Sequence, residues 1–205
     1  MIFEKSDLKF DIDLLQQHLR NHVLDKEISR QSEAFGGWSV LSGNGDFKDG
    51  WQKGHLLYKK DVSDDEKQKI RGQITKKFSE YTVETEICTG YLLQVIESVR
   101  EKKLMPYRAR IICLTAGQSS IWHSDAPSHI YAVRLHIPIL TNEECFFETK
   151  EEREHIPADG SAHFVYVNRE HRVVNNGKTD RFHLVMDIRD EVGFSKHHRF
   201  SDFKG

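Results

Sequence analysis

The sequence predicts an α+β fold, in which flanking N-terminal helices precede a double-stranded β-helix, or jelly roll. After Pro106, five short segments rich in β-branched and aromatic residues alternate with turn residues, which is typical of an antiparallel sandwich or jelly roll. Before Pro106, apolar residues recur at helical spacing instead. The predicted strands are 108–114, 129–140, 145–149, 163–167 and 181–188, and the predicted turns are at Gly117, Asp159-Gly160 and Asn175-Asn176-Gly177.

Three helices are predicted in the first half of the chain. One runs from Asp11 to Val23, and a second starts after Ser63, which has Glu66 at the capping-box position. The third runs from about Glu86 to Lys103. The rest of residues 1–60 is predicted to be irregular. The apolar positions expected on the three helices are, in chain order, Ile12, Leu15, Leu19 and Val23; Ile70, Ile74 and Phe78, with Lys77 beside them; and Ile87, Tyr91, Val95, Ile96 and Val99.

Composition indicates one soluble globular domain spanning residues 1–205, with helical and loop support in 1–105 and the jelly-roll core in 106–190. A net charge of −2 argues against a general nucleic-acid binder. No apolar run approaches a membrane span, and the charged N-terminus does not resemble a signal peptide. The three cysteines form neither a disulfide framework nor a zinc pattern, so we expect reduced thiols and a cytoplasmic location.

Three residues in the C-terminal half have the composition of a metal site. His123-Ser124-Asp125 is an H-x-D step, and His171 follows well downstream. Two imidazoles and one carboxylate form the facial triad that holds non-haem Fe(II) and leaves coordination positions open. Arg181, shortly after His171, suits the carboxylate of a cofactor.

Strand parity separates the polar from the apolar side chains of two predicted strands. Successive strand residues point to opposite faces, so Arg134 and His136 share one face of their strand, and Arg181 and His183 share one face of theirs. One interpretation is a half-exposed sheet with its polar face in water. The other, which the H-x-D step and distal His favour, is a polar cofactor pocket inside a jelly roll.

The stretch from about Arg108 to Arg189 resembles the aspartyl/asparaginyl β-hydroxylase family of Fe(II)/2-oxoglutarate-dependent oxygenases. The similarity rests on the motifs Ile121-Trp122-His123-Ser124-Asp125, Val133-Arg134-Leu135-His136-Ile137-Pro138, Asp159-Gly160, His171-Arg172-Val173-Val174-Asn175-Asn176 and Arg181-Phe182-His183-Leu184-Val185-Met186-Asp187. The resemblance implies a cupin-like jelly roll that uses Fe(II), 2-oxoglutarate and O2 and releases succinate and CO2.

The resemblance also implies roles for individual residues. His123 and His171 would bind iron, and Asp125 would complete the triad. Arg181 would bind the distal carboxylate of 2-oxoglutarate, and Arg134 and His136 would help to hold the same cosubstrate. Asn175, Trp122 and His183 are candidates for orienting the iron ligands.

Asp125 is where the sequence departs from the vertebrate-type members, which have Gly at this position. At this position the sequence instead resembles members that act on free amino acids, such as the proline cis-hydroxylases. Asp125 also argues against halogenation. A serine that those members use for the cosubstrate is not evident at Ile112-Cys113. We therefore expect hydroxylation of a free amino acid or an amino-acid derivative.

Two alternatives remain open: hydroxylation of Asp or Asn residues in a peptide, and a non-catalytic jelly-roll module that binds a small ligand. A metal analysis separates the second alternative from an oxygenase. The glycine- and aromatic-rich segment with Phe35, Trp38 and Trp51 is either a loop that closes over the pocket and contacts substrate or an ordinary surface loop. Neither the oligomeric state nor the site of hydroxylation is readable from the sequence.

Overall fold

A computed structural model describes residues 3–51, 61–73, 80–125 and 133–190. In this part of the chain, three helices and twelve strands are present. The helices are α1 (Ile12–His22), α2 (Asp64–Gln73) and α3 (Gly90–Glu101). The strands are β1 (Phe3–Lys9), β2 (Ser29–Arg30), β3 (Phe35–Ser39), β4 (Leu41–Ser42), β5 (Val83–Glu84), β6 (Leu104–Leu114), β7 (Val133–Leu140), β8 (Cys145–Glu148), β9 (Arg153–Glu154), β10 (Ser161–Tyr166), β11 (Arg172–Asn175) and β12 (Arg181–Asp190).

Two facing sheets form the jelly roll that the sequence predicts. The major sheet has seven strands in the order β1-β10-β7-β12-β6-β3-β2, and the minor sheet has the order β11-β8-β9. All of the pairings are antiparallel. β7 and β12 occupy the middle of the major sheet, so residues on their inner face are enclosed by strands on both sides.

The outer face of the major sheet packs against α1 and α3. Leu135, Ile137, Leu184 and Met186 point to this side and are buried. The strand-parity prediction is therefore confirmed for β7 and β12, because the helices cover the apolar face. Other residues of this core are Leu15, Leu19, Leu92, Val95, Ile96 and Val99 from the two helices, with Trp38 and Phe164 from the sheet.

Side-chain caps set the starts of the first two helices. The Asp11 carboxylate accepts hydrogen bonds from the backbone N–H groups of Asp13 at 3.0 Å and Leu14 at 3.1 Å. The Ser63 hydroxyl accepts one from the Glu66 N–H at 3.2 Å. Both caps satisfy donors that a helix leaves unpaired at its N-terminus. The Ser63 cap is the one that the sequence predicts.

The prediction that residues 1–60 are irregular beyond α1 is wrong. β1 pairs with β10, and β3 pairs with β6, so both extend the major sheet. The Gly36-Gly37 pair hides β3 from sequence patterning, because glycine disfavours strands unless neighbouring backbone or side chains approach closely. Trp38 is a core residue beside Phe182 and does not belong to a loop.

α3 begins at Gly90, later than the predicted Glu86. Residues before it belong to a separate two-stranded sheet, since β5 pairs with β4, and the Thr85 hydroxyl donates to the Ser39 carbonyl at 2.7 Å. The predictions for Ile74, Lys77 and Phe78 in α2, and for 129–132 in the strand observed as β7, lie outside the described residues.

Within residues 3–51, 61–73, 80–125 and 133–190, none of the helices has the length and apolar character needed to cross a membrane.

The Asp159-Gly160 turn gives a test of the packing between β10 and the N-terminal segment. Gly160 has φ +83°, and a Cβ there would lie 2.1 Å from the Phe10 carbonyl oxygen. Gly160→Ala should lower the free energy of unfolding by about 2–5 kcal/mol, since it adds a left-handed penalty of about 1–2 kcal/mol to overpacking of about 1–3 kcal/mol.

Gly117→Ala is the matched control for that substitution. Gly117 also has a positive φ, +70°, but nothing lies within 4 Å of its Cβ position. We expect a loss of about 1–2 kcal/mol in urea denaturation. Equal losses in the two variants would contradict the contact with Phe10.

Candidate functional site

An antiparallel bridge brings the two predicted histidine ligands together. The His123 N–H donates to the His171 carbonyl at 3.0 Å, and the His171 N–H donates back at 2.8 Å. The Asp125 N–H donates to the Val167 carbonyl at 2.9 Å. One ligand atom from each of His123, Asp125 and His171 then lies within 4.8 Å of the others.

Each imidazole is oriented by a backbone carbonyl. His123 Nδ1 lies 2.8 Å from the Ile121 oxygen, and His171 Nδ1 lies 2.8 Å from the Arg169 oxygen. These contacts favour the tautomer with the proton on Nδ1, which leaves Nε2 free to bind a metal. The Nε2 atoms lie 4.0 Å and 3.6 Å from the Asp125 carboxylate. This donor set fits Fe(II).

The two histidines differ in their surroundings. His171 is buried, and its ring stacks on Phe147 with 4.8 Å between centroids. His123 is partly exposed and follows Ile121 and Trp122, which are 70% and 39% exposed. The candidate metal site therefore lies at the edge of the jelly roll, with one predicted ligand anchored in the interior and one at the surface.

A chain of alternating charges supports the third ligand. Arg108 Nε donates to Asp187 Oδ2 at 2.6 Å, and Arg134 Nε donates to Asp187 Oδ1 at 2.8 Å. Arg134 Nη1 then donates to Asp125 Oδ2 at 2.5 Å. The Asp125 carboxylate is thus held by a guanidinium whose own position is fixed by a second carboxylate.

The ion pairs lower the pKa of the two carboxylates. Burial opposes the ionisation of Asp187, but the charges of Arg134 and Arg108 outweigh it and lower its pKa to about 2. Burial also opposes ionisation of Asp125, and the charge of Arg134 again outweighs it, so the Asp125 pKa is lowered. Both groups are anionic at neutral pH.

A second group of polar side chains lies further along the interior, around Arg181. Arg181, His183, Thr141 and Phe147 line a small cleft together with Cys145, Phe146 and Ile156. Arg181 is buried; its Nε donates to His183 Nε2 at 3.0 Å, and its Nη2 lies 2.7 Å from His183 Nδ1. Burial lowers the pKa of Arg181 to about 10.

Three buried polar atoms near this cleft have no hydrogen-bond partner in the described chain: the Thr141 hydroxyl and both ring nitrogens of His136. His136 lies on the same inner face, where its ring contacts those of His183 and Phe147. Buried polar groups are almost always satisfied in folded proteins. An arginine beside unsatisfied donors therefore fits a bound carboxylate, as 2-oxoglutarate would provide.

The structure gathers His123, Asp125 and His171 into one cluster, with Arg134 bonded to Asp125, and it places His136 and Arg181 on the inner face of the major sheet. Other predicted contacts are absent among the described residues. Asn175 closes the turn before β12 through Leu114 and Thr179. His183 contacts Arg181, and Trp122 lies under Arg172 at 4.9 Å. The two predicted histidine ligands are oriented by main-chain carbonyls, and contacts of this kind cannot be predicted from residue identity.

Sequence reasoning missed several residues at the site. Thr141 directly follows β7 and carried no signal beyond its place at a strand end. Arg108 and Asp187 carried a signal, because an acidic residue on the polar face of β12 needs a cationic neighbour once the sheet closes. Arg110 and Phe147 also lie on inner faces and were not identified.

The sequence profile described as aspartyl/asparaginyl beta-hydroxylase matches residues 26–191. No curated protein matches the chain in sequence.

Several solved structures align with the chain. A viral collagen prolyl hydroxylase from Paramecium bursaria Chlorella virus-1, solved with 2-oxoglutarate, aligns with a TM-score of 0.51 and 12% identity over 93% of this chain and 97% of that one. A Pseudomonas putida prolyl-4-hydroxylase gives 0.48 and 11% over 92% of each chain. A Bordetella pertussis Tohama I cupin domain gives 0.34 and 19% over 41% of this chain and 82% of that one. The alignment with the viral enzyme, at 12% identity, bears on the shared fold and not on the substrate.

Asp187→Asn tests the ion-pair chain. Removing this charge leaves Arg108 and Arg134 without their shared partner, so the free energy of unfolding at pH 7 should fall by about 3–5 kcal/mol. The folded pKa of Asp187 is lowered, so its contribution is present above the unfolded pKa of about 4. That contribution is lost as the pH falls through about 2.

The difference between wild type and Asp187→Asn should therefore narrow across that acid range in chemical denaturation. Asp25→Asn, at an exposed turn aspartate, is the control and should change stability by no more than about 0.5 kcal/mol. A difference that stays constant down to the lowest pH would refute the assignment of the charge to these ion pairs.

Proposed function

The chain belongs to the aspartyl/asparaginyl β-hydroxylase family, and from that premise we propose that it hydroxylates a C–H bond of a free amino acid or a small amino-acid derivative. It is an Fe(II)/2-oxoglutarate-dependent hydroxylase. When bound, Fe(II), 2-oxoglutarate and O2 supply the oxidising chemistry, which releases succinate and CO2 as the substrate is hydroxylated. One observation supports placing this chemistry here: the ligand atoms of His123, Asp125 and His171 converge beside the Arg181 cleft, since Phe147 both stacks on His171 and lines that cleft.

We assign the iron to His123, Asp125 and His171. Their ligand atoms converge, and the backbone contacts of both Nδ1 atoms leave Nε2 available. The Asp125 carboxylate is ionised at neutral pH, as a metal ligand must be. Phe147 stacks on His171 and covers one face of its ring.

We assign the distal carboxylate of 2-oxoglutarate to Arg181, with Thr141 as a second donor. A guanidinium presents parallel N–H groups that match a carboxylate, and the Thr141 hydroxyl needs a partner of this kind. Burial, followed by the charge of Arg181, lowers the pKa of His136 well below its usual range. His136 is therefore a neutral imidazole that can donate one hydrogen bond to the cosubstrate.

Arg134 has a different proposed role from the one that the family resemblance implies. Two of its nitrogens already contact protein carboxylates, those of Asp125 and Asp187. We propose that Arg134 is a positioning residue, which holds Asp125 in the orientation that the metal requires. It then acts on the cosubstrate only through that ligand.

The substrate proposal rests on Asp125, the residue that distinguishes members acting on free amino acids. Hydroxylation of Asp or Asn residues in a peptide is the second candidate. It is favoured by the exposed pair Ile121 and Trp122 beside His123, because exposed apolar side chains at the edge of a site suit a peptide chain. A cytoplasmic location is also proposed, and the three unpaired cysteines support it.

His123→Ala tests the metal assignment. Removing one of three protein ligands should abolish succinate formation measured with Fe(II), 2-oxoglutarate and O2, and should weaken Mn(II) binding measured by titration calorimetry. His22→Ala, at an exposed position on α1, is the matched control and should retain both. Equal turnover in the two variants would exclude His123 from the iron site.

Arg181→Gln tests the cosubstrate assignment. Losing a buried charge-assisted contact should raise KM for 2-oxoglutarate by about 30-fold or more, and Thr141→Val should raise it by about tenfold. Arg20→Gln, exposed on α1, should leave KM unchanged. An unaltered KM in Arg181→Gln would remove this residue from the carboxylate site.

A further inference from the structure

Arg110 is an inner-face arginine that the metal and cosubstrate assignments leave unused. It lies on β6 opposite Val185 of β12 and Ser39 of β3. Val185 in turn lies opposite His136 of β7. Directly opposed residues share a face of the sheet, so Arg110 points into the same interior as His136.

Two buried donors meet at this position without acceptors. The Arg110 guanidinium carbon lies 5.4 Å from the centre of the Trp51 ring. Arg110 Nε and Trp51 Nε1 are both buried, and neither has a hydrogen-bond partner within the part of the chain described. Both groups are donors only, so whatever satisfies them must be an acceptor.

The charges around Arg110 indicate the sign of that acceptor. In the neighbouring row of ion pairs, which joins Arg108, Asp187, Arg134 and Asp125, two cations are matched by two anions. No carboxylate of the described residues forms an ion pair with Arg110. Burial, followed by the charges of Arg108 and Arg134, lowers the pKa of Arg110 to about 9, consistent with a cation that lacks its counter-charge.

Two glycines give Trp51 its position. A Cβ on Gly37 would lie 2.6 Å from the Trp51 ring, so the ring covers β3 only because that residue has no side chain. Gly50 has φ +91°, a left-handed conformation that turns the chain immediately before Trp51. The local sequence thus places an indole N–H beside a buried guanidinium.

We propose that Arg110 and Trp51 form the subsite that binds the carboxylate of the substrate. This inference rests on the proposed function and adds the residues that select the substrate. A free amino acid offers its α-carboxylate, and a peptidyl aspartate would offer the same group from its side chain. The guanidinium neutralises the carboxylate, and the indole N–H supplies a second hydrogen bond.

The position of this subsite separates it from the cosubstrate. The order β7-β12-β6 puts β6 about 10 Å to the side of β7, at about 4.8 Å per strand. Arg181 lies instead at the start of β12, with Asp187 near its other end. One carboxylate site therefore lies along the central strands, and the other lies beside them, towards β3.

The experiment compares Arg110→Gln, Arg110→Lys and Trp51→Phe with wild type and the exposed control Arg20→Gln. Probes are the free L-amino acids, their C-terminal amides, and blocked peptides that contain one Asp or one Asn. Two quantities are measured: stimulation of succinate formation with Fe(II) and 2-oxoglutarate, and calorimetric binding with Mn(II) replacing Fe(II), where no turnover occurs. Succinate formed without any probe reports the metal and cosubstrate sites alone.

For the amino acid that stimulates succinate formation, Arg110→Gln should raise both KM and Kd by about 30-fold or more. Trp51→Phe should raise the same two constants by about tenfold. Arg110→Lys should recover part of that loss. Probe-independent succinate formation and KM for 2-oxoglutarate should not change. Wild type should prefer each acid to its amide. If wild type prefers a blocked Asp peptide and Arg110→Gln loses that preference, the result supports the subsite and shows that it binds a side-chain carboxylate.

Three results would overturn the subsite: equal use of acid and amide by wild type, an unchanged KM in Arg110→Gln, or no stimulation by any carboxylate probe while probe-independent succinate formation persists. Failure of the proposed function differs from all three, because wild type would then form no succinate under any condition.

Discussion

The carboxylate of Asp187 holds two arginines at once, and the geometry of the candidate metal site depends on that contact. Asp187 belongs to β12, Arg108 to β6 and Arg134 to β7, so the contact joins three strands of the major sheet. Arg134 then reaches Asp125 outside the sheet. A buried charge without a partner is strongly destabilising, and this requirement fixes the orientation of the ligand carboxylate before any metal binds.

The division of the major sheet into two faces makes such a buried charge network tolerable. α1 and α3 cover the outer face, where Leu135, Ile137 and Leu184 supply apolar burial. The inner face is then free to carry arginine, histidine and aspartate between two sheets. A second apolar cluster around Phe147, Val165 and Val173 packs separately from the core under the helices.

The two proposed carboxylate sites lie at different places in the interior. Arg181, Thr141 and His136 surround one position along the central strands, and Arg110 and Trp51 mark a second position towards β3. Between the two positions lies the ion-pair chain, in which two arginines balance two aspartates. Neither carboxylate site therefore takes a partner from that chain. Two cations at different places allow one dicarboxylate and one substrate to be distinguished by position within a single pocket.

The sequence by itself determined the jelly roll and the alternation of faces on β7 and β12, and it named the six residues proposed for the site, because side-chain period and residue chemistry are local properties. It missed β1 and β3, since the glycine pair of β3 lacks a strand pattern until β6 lies beside it. Tertiary structure alone decided that Arg134 contacts Asp125, that backbone carbonyls orient the two histidines, and that Trp51 reaches Arg110. Those contacts join residues from separate strands and loops, so their partners are set by register and sheet closure, which no local pattern encodes.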